Sequence, residues 1–475
     1  MKRSFVLLLL CFAVKGYALN VPATTDTIPT FDTSFLTPNS TVIIGGIEVS
    51  GNKKTREYII LREMTFKKGD KILLSDLNRK LVESKQLIYN TALFVDDSLY
   101  VASQKGNVVY IKINVKERWY FFPLPYFRLV DRNFNQWWVQ ENRSLARVNY
   151  GLKFTYSNTT GQNDKLNLWF ITGYTHQLTA RYDLPFFNKS LTKGINVGVS
   201  YARQHELNYA TSLDNKQLFF DTPDFIIEGL RGDITYSYRP DLRQRHYFRI
   251  GYTHQSVADT VLKINPMFYP EQRTQISYID FAYTYRYLNA DYNVYPTKGI
   301  LFEGSIYKRG LDKLTNLWQI STHAIYAKSF NAKTFMTLEG IASVKFPYNP
   351  YFFSQGLFGY GNSFMRGLEY YVVDGMAGGI GKISFNRQVF KYIFHPPIRT
   401  KTHDKIPFRF YLKAYADVGY AYNPYVTNNL LNNTLLHSYG VGLDVVSIYD
   451  FVFKFEFTFN QLGYNGLYLH ARNDF

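Results

Sequence analysis

The run FVFKFEFTFN, residues 451–460, sets Phe at 451, 453, 455, 457 and 459 against Val452, Lys454, Glu456, Thr458 and Asn460. A period of two puts all the rings on one face of a strand and the polar side chains on the other. Two environments accept such a strand. A soluble sandwich would turn the Phe face inward and the charges to water. A membrane sheet would turn the Phe face to lipid and the charges to a wet interior.

The rest of the chain decides between them. Of 475 residues 46% are hydrophobic, so a packed structure is expected, and aromatics reach 18%, with 41 Tyr and 39 Phe but 5 Trp. Tyr-rich strands suit rings at membrane interfaces. From about Tyr120 to Phe475 no helical period persists. Strands of roughly ten residues follow one another instead, joined alternately by short turns and longer polar loops. Their expected starts lie near 122, 146, 164, 175, 194, 225, 246, 274, 297, 315, 333, 375, 407, 437, 451 and 466, about 16 in all. A soluble protein of this length would need several cores with linkers between them, and no such linkers occur. The fold class expected is therefore a membrane β-barrel of about 16 antiparallel strands. Register is strongly specified, since a slip of one residue would bring Lys454 to lipid at a cost of roughly 2–4 kcal/mol near the midplane.

The segments before the strands differ. Lys2 and Arg3 precede the apolar core FVLLLLCFAV, and Gly16-Tyr17-Ala18 offers a cleavage site, so residues 1–18 read as a signal peptide for export. Cys11, the single cysteine, lies in that core, so the mature chain is expected to hold no disulfide. Residues 19–41, rich in Thr and Pro, read as a flexible lead-in. Residues 42–117 read as a small α+β domain in the order strand, helix, helix, strand, strand. Thr55 and Ser75 are the expected helix caps, Leu77, Leu81 and Ile88 share a face of the second helix, and FVDDSLYVA (94–102) reads as an edge strand. The net charge of +17 suits a basic interior and rim near anionic headgroups, and no dense Lys/Arg run points to nucleic acid.

These two parts in this order resemble the BamA/TamA superfamily, which places POTRA domains before a 16-stranded outer-membrane barrel. In the first domain the resemblance rests on IEVSGNKKTREYIILREMTFKKGD, LNRKLVESKQLIYNTALF and VVYIKINVKE; in the strands it rests on ARYDLPFFN and NVYPTKGILFEG. The sharpest likeness is GYGNSFMRGLEYY, similar to the family's sixth extracellular loop, with Met365, Arg366, Gly367 and Leu368 at its Val-Arg-Gly-aromatic tip. The resemblance implies that this loop folds back inside and that Arg366 pairs with an Asp of the thirteenth strand, here Asp417 within Tyr415-Ala416-Asp417-Val418-Gly419. The residues support the pairing independently. In FRFYLKAYADVGY, Phe408, Phe410, Leu412, Ala414, Ala416 and Val418 share the lipid-facing parity, so Asp417 faces inward, where a planar guanidinium can bind it bidentately. Gly367 would let the loop turn tightly and Gly419 would leave room opposite it. The family's further Glu partner on the twelfth strand falls on Asn386. A terminal aromatic, Phe475, resembles the C-terminal signal by which such chains are themselves assembled.

Catalytic chemistry finds no foothold. DGMAGGIGKIS fails as a phosphate loop, because Met376 and Ile383 occupy the Gly and Ser/Thr positions. G-x-S-x-G and H-E-x-x-H are absent, so no enzyme, cofactor or metal site is expected. The resemblance implies an outer-membrane assembly factor whose POTRA domain, in the periplasm, adds unfolded outer-membrane proteins to its sheet edge as an extra strand. Strands of the barrel edge would then template insertion. Periplasmic chaperones and accessory lipoproteins are further implied partners. The alternatives are a polypeptide translocation pore of the two-partner secretion type and a passive channel.

Overall fold

A computed structural model describes residues 39–129, 148–361, 363–396, 405–425 and 428–471. The signal peptide, most of the lead-in and Phe475 lie outside the described residues.

The small N-terminal domain holds β1 (Thr41–Ser50), α1 (Glu57–Leu61), β2 (Lys71–Leu73), α2 (Leu74–Tyr89), β3 (Phe94–Lys105) and β4 (Val108–Glu117). The sheet order is β2-β1-β4-β3, with β1 parallel to β4 and β3 antiparallel to it, so β3 is an edge. Alternation in β4 buries Val109, Ile111, Ile113 and Val115 against Ile59 and Ile60 of α1 and Leu77 and Ile88 of α2, with Leu81 partly buried beside them. The expected caps are corrected. Thr55 precedes the cap position, Arg56, and its Oγ1 instead meets Tyr120 Oη at 3.0 Å and accepts from Asn158 Nδ2 at 2.9 Å. Ser75 lies inside α2, which begins one residue earlier at Leu74.

Among the described residues sixteen antiparallel strands form the second sheet, each next to its successor in the chain. The first is Phe121–Leu129 and the last Asn465–Ala471; the fifteenth, Val452–Asn460, carries the Phe ladder. Its rings point outward and are exposed, whereas Glu456 and Thr458 are 2% and 1% exposed. The thirteenth strand, Ile406–Tyr422, alternates likewise, with Leu412 and Val418 outward and Tyr411, Lys413, Tyr415 and Asp417 buried. A continuous apolar outer face over polar interior positions is the pattern of strands in a lipid bilayer. No helix among the described residues is long and apolar enough to cross a membrane.

The expectation of a closed barrel is overturned. Among the described residues the sheet order runs from the last strand to the first and stops, leaving both as edges that do not pair with each other. The first strand itself explains part of this, since Pro123 and Pro125 fall within it and proline cannot donate to a ladder. The sheet nevertheless curls around an interior. Trp119 N donates to Tyr449 Oη at 2.9 Å, and the Phe122 ring lies 5.6 Å from that of Tyr449, so the start of the first strand reaches the turn before the fifteenth.

Both ends of the interior are crossed by chain. At the end away from the small domain, Asn215 Nδ2 donates to Val372 O at 3.1 Å and to Asn432 Oδ1 at 2.8 Å, while its Oδ1 accepts from Leu431 N at 2.8 Å. One side chain thereby joins three loops. At the other end the small domain touches successive turns of the sheet. Arg56 N donates to Gly161 O, Arg62 Nε to Leu191 O, and Asn90 Nδ2 to Ala290 O. Arg239 pairs with Glu63, Arg243 with Glu83, and Arg118 with Asp450.

Candidate functional site inside the curled sheet

Between the eleventh strand (Thr334–Phe346) and the twelfth (Ala377–Phe394) the chain makes a long excursion that enters the interior. Its tip, Met365 to Leu368, is buried. Met365 and Leu368 pack with Ile380 of the twelfth strand and Leu436 of the fourteenth (Leu435–Val446), an apolar seat that holds the tip in place.

Arg366 is the centre. Its Nε donates to Asp417 Oδ1 and Oδ2 at 3.1 and 2.9 Å, its Nη2 reaches Oδ1, and its backbone N donates to Oδ2 at 3.1 Å. Nη1 donates to Ser384 Oγ at 2.9 Å and lies 3.7 Å from Glu456 Oε1. The guanidinium stands 4.0 Å from the centroid of the Tyr415 ring. Such a bidentate, stacked arrangement uses the flat fork of Arg, which Lys lacks. Gly367 adopts φ +84°, and a Cβ there would lie 2.6 Å from Thr458 Cγ2. At Gly419 a Cβ would meet Gly379 O at 3.2 Å and Met365 Sδ at 3.5 Å, so its absence opens space for the loop tip. Asn386 is buried but donates to Ser384 O at 3.4 Å, within its own strand; Ser384 is the residue of the twelfth strand that bonds Arg366.

Sequence reasoning missed the wider charge network. Lys413 Nζ bridges Asp444 at 2.6 Å and Glu456 at 2.7 Å. His470 Nδ1 lies 2.7 Å from Glu456 Oε2, and its Nε2 is 3.6 Å from Glu369 Oε1. Tyr415 Oη meets Thr458 Oγ1 at 2.5 Å, and Asn460 Nδ2 donates to Gly367 O at 2.7 Å. The loop tip is thus held by the twelfth, thirteenth, fifteenth and last strands together. The signal for these residues was inward parity: Lys413, Tyr415, Glu456 and Thr458 all share a face with polar neighbours, but parity names no partner. A cavity of about 820 Å³ borders the network, lined by Glu339, Lys382, Arg366, Lys413, Glu456 and His470 among others.

Comparison with known families identifies the first part. The segment 42–118 matches the POTRA family, described as surface antigen variable number repeat. Residues 42–118 are a POTRA domain. Its order coincides with the β1–β4 sheet and its two helices, and the resemblance drawn from the sequence holds for this domain. Among solved structures, BamA from Haemophilus ducreyi lacking POTRA domains 1–3 is 16% identical, with 90% of this chain and 83% of that one covered and a TM-score of 0.48. CdiB from Escherichia coli is 9% identical, covering 94% and 91% at a TM-score of 0.45. CdiB from Acinetobacter baumannii is 13% identical, covering 89% and 71% at a TM-score of 0.45. No curated protein sequence matches the chain.

Proposed function

We propose that this chain is an outer-membrane protein-assembly factor. The POTRA domain stands in the periplasm, captures unfolded outer-membrane clients on β3, and passes them to the edges of the sixteen-stranded sheet. The observation that carries the reading is the coincidence of two kinds of unpaired edge in one chain, β3 outside the membrane and the first and last strands within it. Backbone groups of a strand edge at hydrocarbon depth have no water to bond, so a client strand that pairs there replaces an uncompensated cost. β3 offers the periplasmic counterpart, where an extended segment gains main-chain hydrogen bonds irrespective of its side chains. In this reading the Arg366–Asp417 contact holds the interior loop while the edges act, and residues 1–18 direct export.

The test uses the purified full-length protein in phospholipid vesicles and an urea-unfolded eight-stranded outer-membrane protein as client. Folding is followed by protection from external protease. An acceleration of tenfold or more over protein-free vesicles is expected. Equal folding rates with and without the protein, together with client peptide recovered inside the vesicles, would replace assembly by translocation.

A further inference from the structure

The two edges of the large sheet differ in their hydrogen-bonding capacity. Ser157 N donates to Tyr120 O at 2.8 Å, just before the register Phe121↔Tyr156 begins. In an antiparallel ladder hydrogen-bonded pairs alternate with non-bonded ones, so even-numbered residues of the first strand bond the second, Val148–Ser157. Odd-numbered residues therefore direct their backbone groups away from the sheet. Pro123 and Pro125 are both odd, which is why the ladder tolerates them. From 122 to 126 the outer side of this strand consequently presents carbonyls and no N–H.

The last strand is complete. Asn460 N donates to Tyr464 O at 3.0 Å, which fixes even-numbered residues as those bonded to the fifteenth strand. Asn465, Leu467, Leu469 and Ala471 therefore turn both N–H and C=O away from the sheet, and none is proline. Leu467 and Leu469 also face outward and are exposed, continuing the apolar outer face of the Phe ladder.

We propose that the last strand is the strand-accepting edge of this protein and that Pro123 and Pro125 make the first strand a blocked edge. This rests on the assembly function proposed above and names the surface and the partner. The partner is an antiparallel transmembrane β-strand with alternate apolar residues, placed outward in line with Leu467 and Leu469. Three facts select that occupant: donors and acceptors alternate along the last strand, the outer face there is apolar, and hydrocarbon cannot satisfy the groups in its place. The first strand cannot substitute as the partner over its middle, because two successive donors are missing from it.

The test uses the full chain with Cys11→Ser in vesicles and a synthetic peptide copying residues 451–460 with Cys in place of Phe455. One cysteine is placed at an edge, Leu469→Cys or Phe127→Cys, and disulfide trapping is quantified. Trapping at Leu469→Cys is expected to exceed that at Phe127→Cys by tenfold or more, and adding Pro123→Val with Pro125→Val is expected to bring the two within about twofold. Hydrogen exchange on the chain without edge cysteines supplies a second readout: the peptide slows residues 465–471 and leaves 121–129 unchanged. Equal or stronger trapping on the first strand with both prolines present overturns the edge assignment while leaving the assembly function standing. Trapping at neither edge removes strand templating itself.

Discussion

Glu63 and Arg239 meet fork to fork, with Nη1 to Oε1 and Nη2 to Oε2 both at 2.7 Å, across the boundary between the POTRA domain and the turn after the sixth strand (Ile227–Tyr238). Glu63 is buried, and Arg62 beside it lies over the Phe186 ring at 4.8 Å. Burial pushes the Glu63 carboxyl up, but the Arg239 guanidinium, together with Arg62 and Arg245, outweighs it and holds the group below the usual carboxylate range. Because the folded value is depressed, the contact contributes above the unfolded value near 4.5 and is lost as pH falls through the folded one.

Removing one partner of such a pair leaves a buried charge. Arg239→Met should weaken docking of the POTRA domain by about 3–5 kcal/mol, and Arg239→Met with Glu63→Met should recover most of it. Hydrogen exchange of Ile59–Met64 in the full chain checks this. Equal exchange in both variants would show that the remaining contacts suffice.

Asp97 gives the POTRA domain a pH response of opposite sign. It is buried in β3 opposite Val115, and its Oδ2 has no hydrogen-bond partner. Burial raises its pKa from 3.8 to about 7, partly opposed by Lys85. The folded state therefore holds a proton that the unfolded state has released, and stability falls as pH rises from about 4 to about 7. The full effect is at most roughly 4 kcal/mol at 1.36 kcal/mol per unit. Asp97→Asn should remove the slope. The ratio of β3 exchange rates between variant and parent, taken at each pH, isolates it from intrinsic exchange.

Arg366→Glu should place two carboxylates together beside Glu456, and Asp417→Arg two guanidiniums. Each single change should cost about 3–5 kcal/mol, and the double swap should regain at least half. Thermal unfolding in detergent measures the loss. The amount of other barrel proteins in the outer membrane reports whether loop retention serves assembly.

Gly367→Ala combines two penalties that can be separated. A φ of +84° disfavours any Cβ by about 1–2 kcal/mol, and the approach to Thr458 Cγ2 adds about 1–3 kcal/mol of overpacking. Thr458→Ser removes that methyl and keeps the hydroxyl that meets Tyr415 Oη. The double variant should therefore regain the packing part and retain the backbone part.

Periodicity made the strands legible. The run around 451–460 announces its two faces, and inward Asp417 follows from the parity of Phe408 to Val418. What alternation cannot express is whether the end strands meet, because each strand would look the same in an open or a closed sheet. Pro123 and Pro125 were the local sign, readable once their backbone direction is known. Ser384 replaced Asn386 as the bond to Arg366 for a related reason, since both share the inward parity of the twelfth strand and only depth separates them. The helix starts failed differently. Thr55 had the chemistry of a cap, but Tyr120 and Asn158 claim its hydroxyl.

Arg118 and Asp450, joined at 2.7 and 3.1 Å, stand just before the first and fifteenth strands and fasten the split sheet at one end. A split fastened at one end behaves as a hinge, and displacement grows with distance from the pin. The nine residues of the first strand span about 30 Å at roughly 3.3 Å each. A swing of only about 10° would then shift its far end by about 5 Å, one strand spacing. At that far end a small rotation therefore opens the width of one added strand, and the opening narrows to nothing at the pin.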